Sequence, residues 1–208
     1  MMMHSLIAHL RACLAAGIFA AVGAGLAFGQ GTDLAAGESV QQFRNGAAAL
    51  RLGHVDAAFE IFTDECAAGS AEDCYQLGDL YRRGVGTNQD FNAASEAYQQ
   101  ACDHGSANGC MQLANMLFEG RALDQDYPRA RALYSEACDD NHPAACGVLG
   151  NMMYVGLGGA KNRNRGAELM RQSCRAEVEY ACGQVRRYGL SNDGSRSGVL
   201  NREFWRGN

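Results

Sequence analysis

The chain has 208 residues, a formal net charge of −5, two prolines and nine cysteines. Nine Val, three Ile and three Thr leave too few β-branched residues for an all-β or doubly wound α/β fold. The acidic balance excludes a nucleic-acid-binding surface, since phosphate contacts need a basic one.

The first 29 residues read as a secretory signal peptide. Arg11 gives a weakly basic start, an apolar run spans Ala12 to Phe28, and small residues end it. Cleavage after Ala27 or Gly29 satisfies the small-residue rule, and an uncleaved anchor is the competing reading. Cys13 leaves with this segment. Eight cysteines then remain, an even number in an oxidising compartment, which favours disulfides over free thiols. No later segment is apolar enough to span a bilayer, so the expected location is the periplasm or the outside.

Residues 38–70 read as an N-terminal capping repeat. Its first helix is expected over Glu38 to Leu52, its turn at Gly53-His54, and its second helix over Val55 to Ala67. The cysteines at 66, 102, 138 and 174 and those at 74, 110, 146 and 182 form two series, each stepping by 36 residues. A fixed period of this size marks a repeat architecture. Blocks over 71–106, 107–142 and 143–178 overlay, with a partial block over 179–190. Leu77, Leu113, Leu149 and Val185 coincide, as do Gly84, Gly120 and Gly156, and Tyr98, Tyr134 and Met170. Small residues recur at Ala94, Ala130 and Gly166, and at Ala101, Ala137 and Ser173.

Each block predicts two helices. In the first block they span Ala71 to Arg83 and Phe91 to Asp103, parted by the stretch Gly84-Val85-Gly86-Thr87-Asn88. Gly69 and Gly105 suit the left-handed turn that ends a helix, and Ser70 and Ser106 suit the cap that starts the next. Asn141 replaces the glycine in the third block, and Pro143 stands where a first-turn proline is tolerated. A final helix begins near Ala181 and reaches Tyr188. The tail over 191–208 holds Phe204 and Trp205; it reads as a cap for the last helix, with a free partner motif as the other possibility.

The residues Leu77-Gly78, Tyr81, Gly84-Val85-Gly86, Asp90, Ala94, Tyr98 and Ala101-Cys102, with their copies 36 and 72 residues on, resemble the Sel1-like repeat family, relatives of tetratricopeptide repeats. The paired cysteines make the chain similar to the cysteine-rich branch of that family found in Helicobacter. The resemblance implies an all-α solenoid of antiparallel helix pairs. It also implies a concave groove lined by the first helix of each pair. Carried onto this chain, the groove positions are Gln76, Asp79 and Arg82; Gln112, Asn115 and Phe118; Val148, Asn151 and Tyr154; and Gln184 and Arg187. Amides there can clamp an extended peptide backbone, and Phe118 and Tyr154 can anchor apolar side chains. An ordinary solvated face is the competing reading.

Within each Cys-x₇-Cys pair one cysteine lies near a helix end and the other in the first turns of the next, antiparallel helix. The expected bridges are therefore Cys66–Cys74, Cys102–Cys110, Cys138–Cys146 and Cys174–Cys182, the set that repeat symmetry selects. Metal binding and redox catalysis call for closer spacings such as Cys-x₂-Cys, so no metal and no cofactor are expected.

Some cysteine-rich relatives are labelled β-lactamases, so the resemblance implies β-lactam binding or weak hydrolysis as an alternative function. The residues do not supply the serine-enzyme signature, for Lys161 is the sole lysine and no Ser-x-x-Lys occurs. His54, His104 and His142 all fall in turns between helices. No catalytic residue is assigned. The expected function is an exported, non-catalytic scaffold for a protein or peptide partner. Charge is uneven along it: residues 31–140 sum to −11 and residues 141–208 to +5. Such polarity can orient a partner or favour head-to-tail self-association.

Overall fold

A computed structural model describes residues 43–190. Among these residues there are nine helices and no strand: α1 (Gly46–Arg51), α2 (Val55–Ala67), α3 (Ala71–Arg83), α4 (Phe91–Asp103), α5 (Ala107–Glu119), α6 (Tyr127–Asp139), α7 (Pro143–Val155), α8 (Arg163–Arg175) and α9 (Glu179–Arg187). Each helix packs on those before and after it, and α2 also meets α4, α3 meets α5, and α7 meets α9. This nearest-neighbour pattern is that of an α/α solenoid.

Local chemistry sets the helix ends. The side chains of Ser70, Ser106 and His142 accept hydrogen bonds from the amides of Asp73, Gly109 and Ala145, capping α3, α5 and α7. Asp90, Asp126 and Asn162 do the same for α4, α6 and α8. Between repeats, Gly69, Gly105, Asn141 and Glu177 take φ of +93, +89, +61 and +61°. The turn chemistry thus weakens toward the last repeat, where a non-glycine residue holds the left-handed conformation and Val178 offers α9 no side-chain cap.

Two helix starts differ from expectation. Phe43 and Arg44 are not helical; Asn45 is extended and its side chain caps Ala48, so α1 begins at Gly46 rather than Glu38. The last helix begins at Glu179, two residues before Ala181. The signal-peptide and tail readings lie outside the described residues.

The core follows the repeat columns. Tyr98, Tyr134 and Met170 are buried, as are Leu77, Leu113, Leu149 and Val185. The small-residue columns let paired helices approach, most closely between α7 and α8. A Cβ on Gly166 would lie 2.5 Å from the Gly150 carbonyl oxygen and 2.7 Å from the Tyr154 nitrogen. All four expected bridges are formed, Cys66–Cys74, Cys102–Cys110, Cys138–Cys146 and Cys174–Cys182, with Cα separations of 4.5 to 4.7 Å. Each joins the second helix of one repeat to the first of the next, across a turn too short to let the two slide.

Candidate functional site

The first helices α3, α5, α7 and α9 carry the eleven positions that the resemblance assigns to a groove. Spacing of three residues along each helix puts them on one stripe. Asp79 is joined to Arg82 and Gln112 to Asn115, and several of the set also meet neighbouring tyrosines.

On α3, Asp79 accepts from Arg82 and Arg83, and Arg82 also donates to the Tyr98 hydroxyl at 3.2 Å. Gln76 lies one turn earlier and donates to Glu72 at 2.7 Å. Tyr75 faces the next repeat, with the Gln112 amide beside its hydroxyl. Burial pushes the Tyr98 phenol up to about 12, against the lowering effect of Arg82. Tyr98 therefore stays neutral, accepting from Arg82 at its oxygen.

On α5 the Asn115 amide is held from two sides. Its Oδ1 accepts from the Tyr134 hydroxyl at 2.6 Å, and its Nδ2 donates to Gln112 at 3.2 Å. Burial raises the Tyr134 phenol, which stays protonated and can only be satisfied by this kind of acceptor. Phe118 packs edge-on against Tyr127, with centroids 5.3 Å apart.

On α7 the Asn151 amide repeats the arrangement with different partners. Its Oδ1 accepts from Tyr188 at 2.9 Å and its Nδ2 donates to the Tyr180 oxygen at 2.9 Å. Tyr154 stacks on Tyr188 at 4.4 Å, and the Arg163 guanidinium lies 5.9 Å from the Tyr154 ring centre. On α9, Gln184 is half-buried with its Oε1 unpartnered, and Arg187 is exposed. Val148 interrupts the glutamine column and is half-buried.

The expected residues therefore lie in a stripe on each of α3, α5, α7 and α9, with Tyr75 beside Gln112 between α3 and α5, and Tyr180 and Tyr188 bonded to Asn151 at the α7–α9 end. Sequence reasoning missed the five tyrosines Tyr75, Tyr98, Tyr134, Tyr180 and Tyr188 that organise it. A signal was present. Tyrosine rather than phenylalanine in a buried column requires a hydrogen-bond partner for its hydroxyl, and the polar face is where one is available. Tyr180 has no such signal, because its repeat equivalents are Glu72, Asn108 and Ala144.

The histidines sit at helix ends. His142 accepts from the Ala145 amide through Nδ1, which leaves Nε2–H to donate to Asn108 Oδ1 at 3.0 Å. Burial lowers its pKa below the ordinary 6.5. Among the described residues, the group with metal-ligand types in reach of one another is Cys102, Cys110 and Glu136. Its cysteines are bridged, so no thiolate is available to a metal.

The Sel1 repeat model matches residues 71–106, 107–142 and 143–178, just over half of the chain. Among solved structures, a Sel1 repeat protein from Oxalobacter formigenes is 22% identical with a TM-score of 0.56, covering 61% of this chain and 95% of its own. A protective antigen of uropathogenic Escherichia coli strains, displaying an SLR fold, is 22% identical with a TM-score of 0.61. That match covers 68% of this chain but only 31% of the antigen. Cysteine rich protein B of Helicobacter pylori is also 22% identical, covering 74% of this chain and 99% of its own at a TM-score of 0.48. No curated protein matches the sequence.

Proposed function

The chain belongs to the Sel1 repeat family, and from that premise we propose that it is an exported, non-catalytic scaffold that holds an extended peptide segment of a protein partner along α3, α5, α7 and α9. Sel1 repeat proteins generally mediate protein–protein interaction and are typically non-catalytic. Four disulfides suit folding in an oxidising compartment, and the signal-like first 29 residues supply the route there.

One observation carries the groove reading. Asn115 and Asn151 each spend one N–H and one lone pair on the protein, which fixes the amide plane. One N–H and one lone pair remain on each, the pair that a peptide's C=O and N–H require. Orientation is settled before the partner arrives, so little side-chain entropy is lost on binding. The charge difference along the chain sets direction, with basic partner residues toward α3 and acidic ones toward Arg163 and Arg187.

The test is a cross-linking capture from the native exported fraction. It compares the wild type with a Gln76→Ala/Arg187→Ala variant. These two side chains hold no buried group, since Gln76 bonds only Glu72 and Arg187 is exposed. A partner held by the wild type and reduced at least tenfold by the folded variant supports the reading. Equal recovery, or a partner that maps to the second helices, overturns it. The mature protein in that fraction begins after Ala27 or Gly29; a retained first segment overturns the cleaved signal in favour of an uncleaved anchor.

A further inference from the structure

The four bridges look alike in sequence, but their surroundings differ. Cys66 and Cys74 are 4% and 0% exposed, and Cys102 and Cys110 are 3% and 1% exposed. In the third bridge Cys146 is 5% exposed and Cys138 is half-buried, beside a cavity of about 80 Å³. Only in the fourth are both cysteines, Cys174 and Cys182, half-buried rather than buried.

Three further features single out that fourth bridge. The turn it spans is the weakest of the set, with Glu177 at φ +61° and no side-chain cap on α9. The helix it tethers packs on α8 and α7, and no later helix follows α9 among the described residues. Position 186, equivalent to Gly78, Ala114 and Gly150, is an exposed Arg. Charge differs as well. Arg171 stands one turn before Cys174, with its Nε buried and unpartnered; Arg175 follows Cys174, and Arg186 stands one turn after Cys182. Glu177 and Glu179 oppose them. The other three turns carry acidic residues and no arginine: Glu72 and Asp73, Asp103, and Asp139 and Asp140.

We propose that Cys174–Cys182 is a thiol-exchange site, open to small thiols and to dithiol proteins of its compartment, while the other three bridges are structural. A thiolate attacks the Cys174 sulfur. The Cys174–Cys182 bond breaks, a mixed disulfide forms on Cys174, and Cys182 leaves as a thiolate in the first turns of α9, where the helix dipole favours negative charge. A second external thiol takes the incoming group off as an oxidised thiol and leaves two protein thiols.

Opening the bridge frees α9 from its covalent hold. This helix supplies Tyr180 and, at its C-cap, Tyr188, which fix Asn151, and Tyr188 covers Tyr154. Reduction at this one site therefore loosens the C-terminal end of the stripe and leaves the α3 and α5 end in place. This second consequence rests on the groove reading; the exchange chemistry does not.

The experiment titrates the native, oxidised protein with reduced glutathione. Free thiols are trapped by alkylation and located by peptide mass spectrometry. Cys174 and Cys182 should be trapped first, at least tenfold faster than Cys66, Cys74, Cys102 and Cys110, with Cys138–Cys146 between. The glutathione adduct should sit on Cys174. Simultaneous opening of all bridges, or opening of an N-terminal bridge first, overturns the proposal, and an adduct on Cys182 overturns the direction of attack. Hydrogen exchange on a Cys174→Ala/Cys182→Ala variant should show faster exchange confined to α9 and the facing turn of α7. Unchanged exchange there overturns the coupling to the stripe, whatever the peptide capture shows.

Discussion

Gly166→Ala and Gly183→Ala make the same chemical change in two helices, and the structure predicts opposite signs. Replacing a mid-helix glycine with alanine gains about 1 kcal/mol of helix propensity. At Gly183 a Cβ meets nothing within 4 Å, so that gain is realised and the variant is more stable by up to about 1 kcal/mol. At Gly166 the Cβ would sit 2.5 Å from the Gly150 oxygen, 2.7 Å from the Tyr154 nitrogen and 3.0 Å from its Cα. All three are backbone atoms and cannot rotate aside. Relief requires α7 and α8 to part by roughly 0.8 Å, which loosens contacts along both helices. Overpacking of this kind costs about 1–3 kcal/mol, and the backbone character of the clash puts it at the upper end. Set against the propensity gain, Gly166→Ala should be destabilised by about 1–2 kcal/mol. Urea unfolding followed by circular dichroism, with the bridges intact, reads the difference as opposite shifts in midpoint. A Gly166→Ala midpoint equal to or above the wild type would refute the claim that glycine at this position sets the α7–α8 distance.

Asn115→Ala should cost about 1–3 kcal/mol, because it leaves the buried Tyr134 hydroxyl without its acceptor, whereas Tyr134→Phe should cost only about 0.5–1.5 kcal/mol. The double variant, measured in the same unfolding assay, should recover part of the Asn115→Ala loss; strict additivity would contradict the pairing. Removing one buried bridge by Cys102→Ala/Cys110→Ala should lower stability by about 2–3 kcal/mol in the chain-entropy model, measurable as a lower unfolding midpoint. His142 should make stability depend on pH. Burial holds its folded-state pKa below the ordinary 6.5, so the unfolded chain takes up the proton first as pH falls. Its contribution is complete above 6.5, declines as pH drops toward the folded-state value, and is flat below it. Protonation also ends the Nδ1 cap on Ala145. His142→Ser, the residue type of the two preceding repeats, should reduce the change in melting temperature between neutral and mildly acidic buffer; an unaltered pH profile would show that another group controls it.

Local chemistry made the scaffold legible in the chain. The 36-residue period, the serine and aspartate caps, the left-handed glycines and the Cys-x₇-Cys pairs each act over a few residues, so their consequences could be read without knowing what lies across the solenoid. The bridges belong to this class, because a turn of fixed length brings its two cysteines together whatever else packs nearby. The start of α1 is not legible in the chain, because apolar pattern alone does not show that Asn45 takes an extended conformation and caps Gly46 onward. The stripe on the first helices was only half legible. Its residues lie at repeat positions, but what each amide does depends on hydroxyls arriving from another helix. Asn115 and Asn151 are equivalent in the repeat, yet one is held by Tyr134 of its own repeat and the other by Tyr180 and Tyr188 of the next. Met170 takes the place of that tyrosine in the third repeat, and Tyr180 of α9 with Tyr188 at its C-cap makes up the loss. The close seat of Gly150 on Gly166 and the greater exposure of Cys174–Cys182 are likewise decided by tertiary packing. The first turns on less than an ångström between two helices and the second on how far neighbouring helices cover the two sulfurs, and a sequence pattern repeating every 36 residues encodes neither.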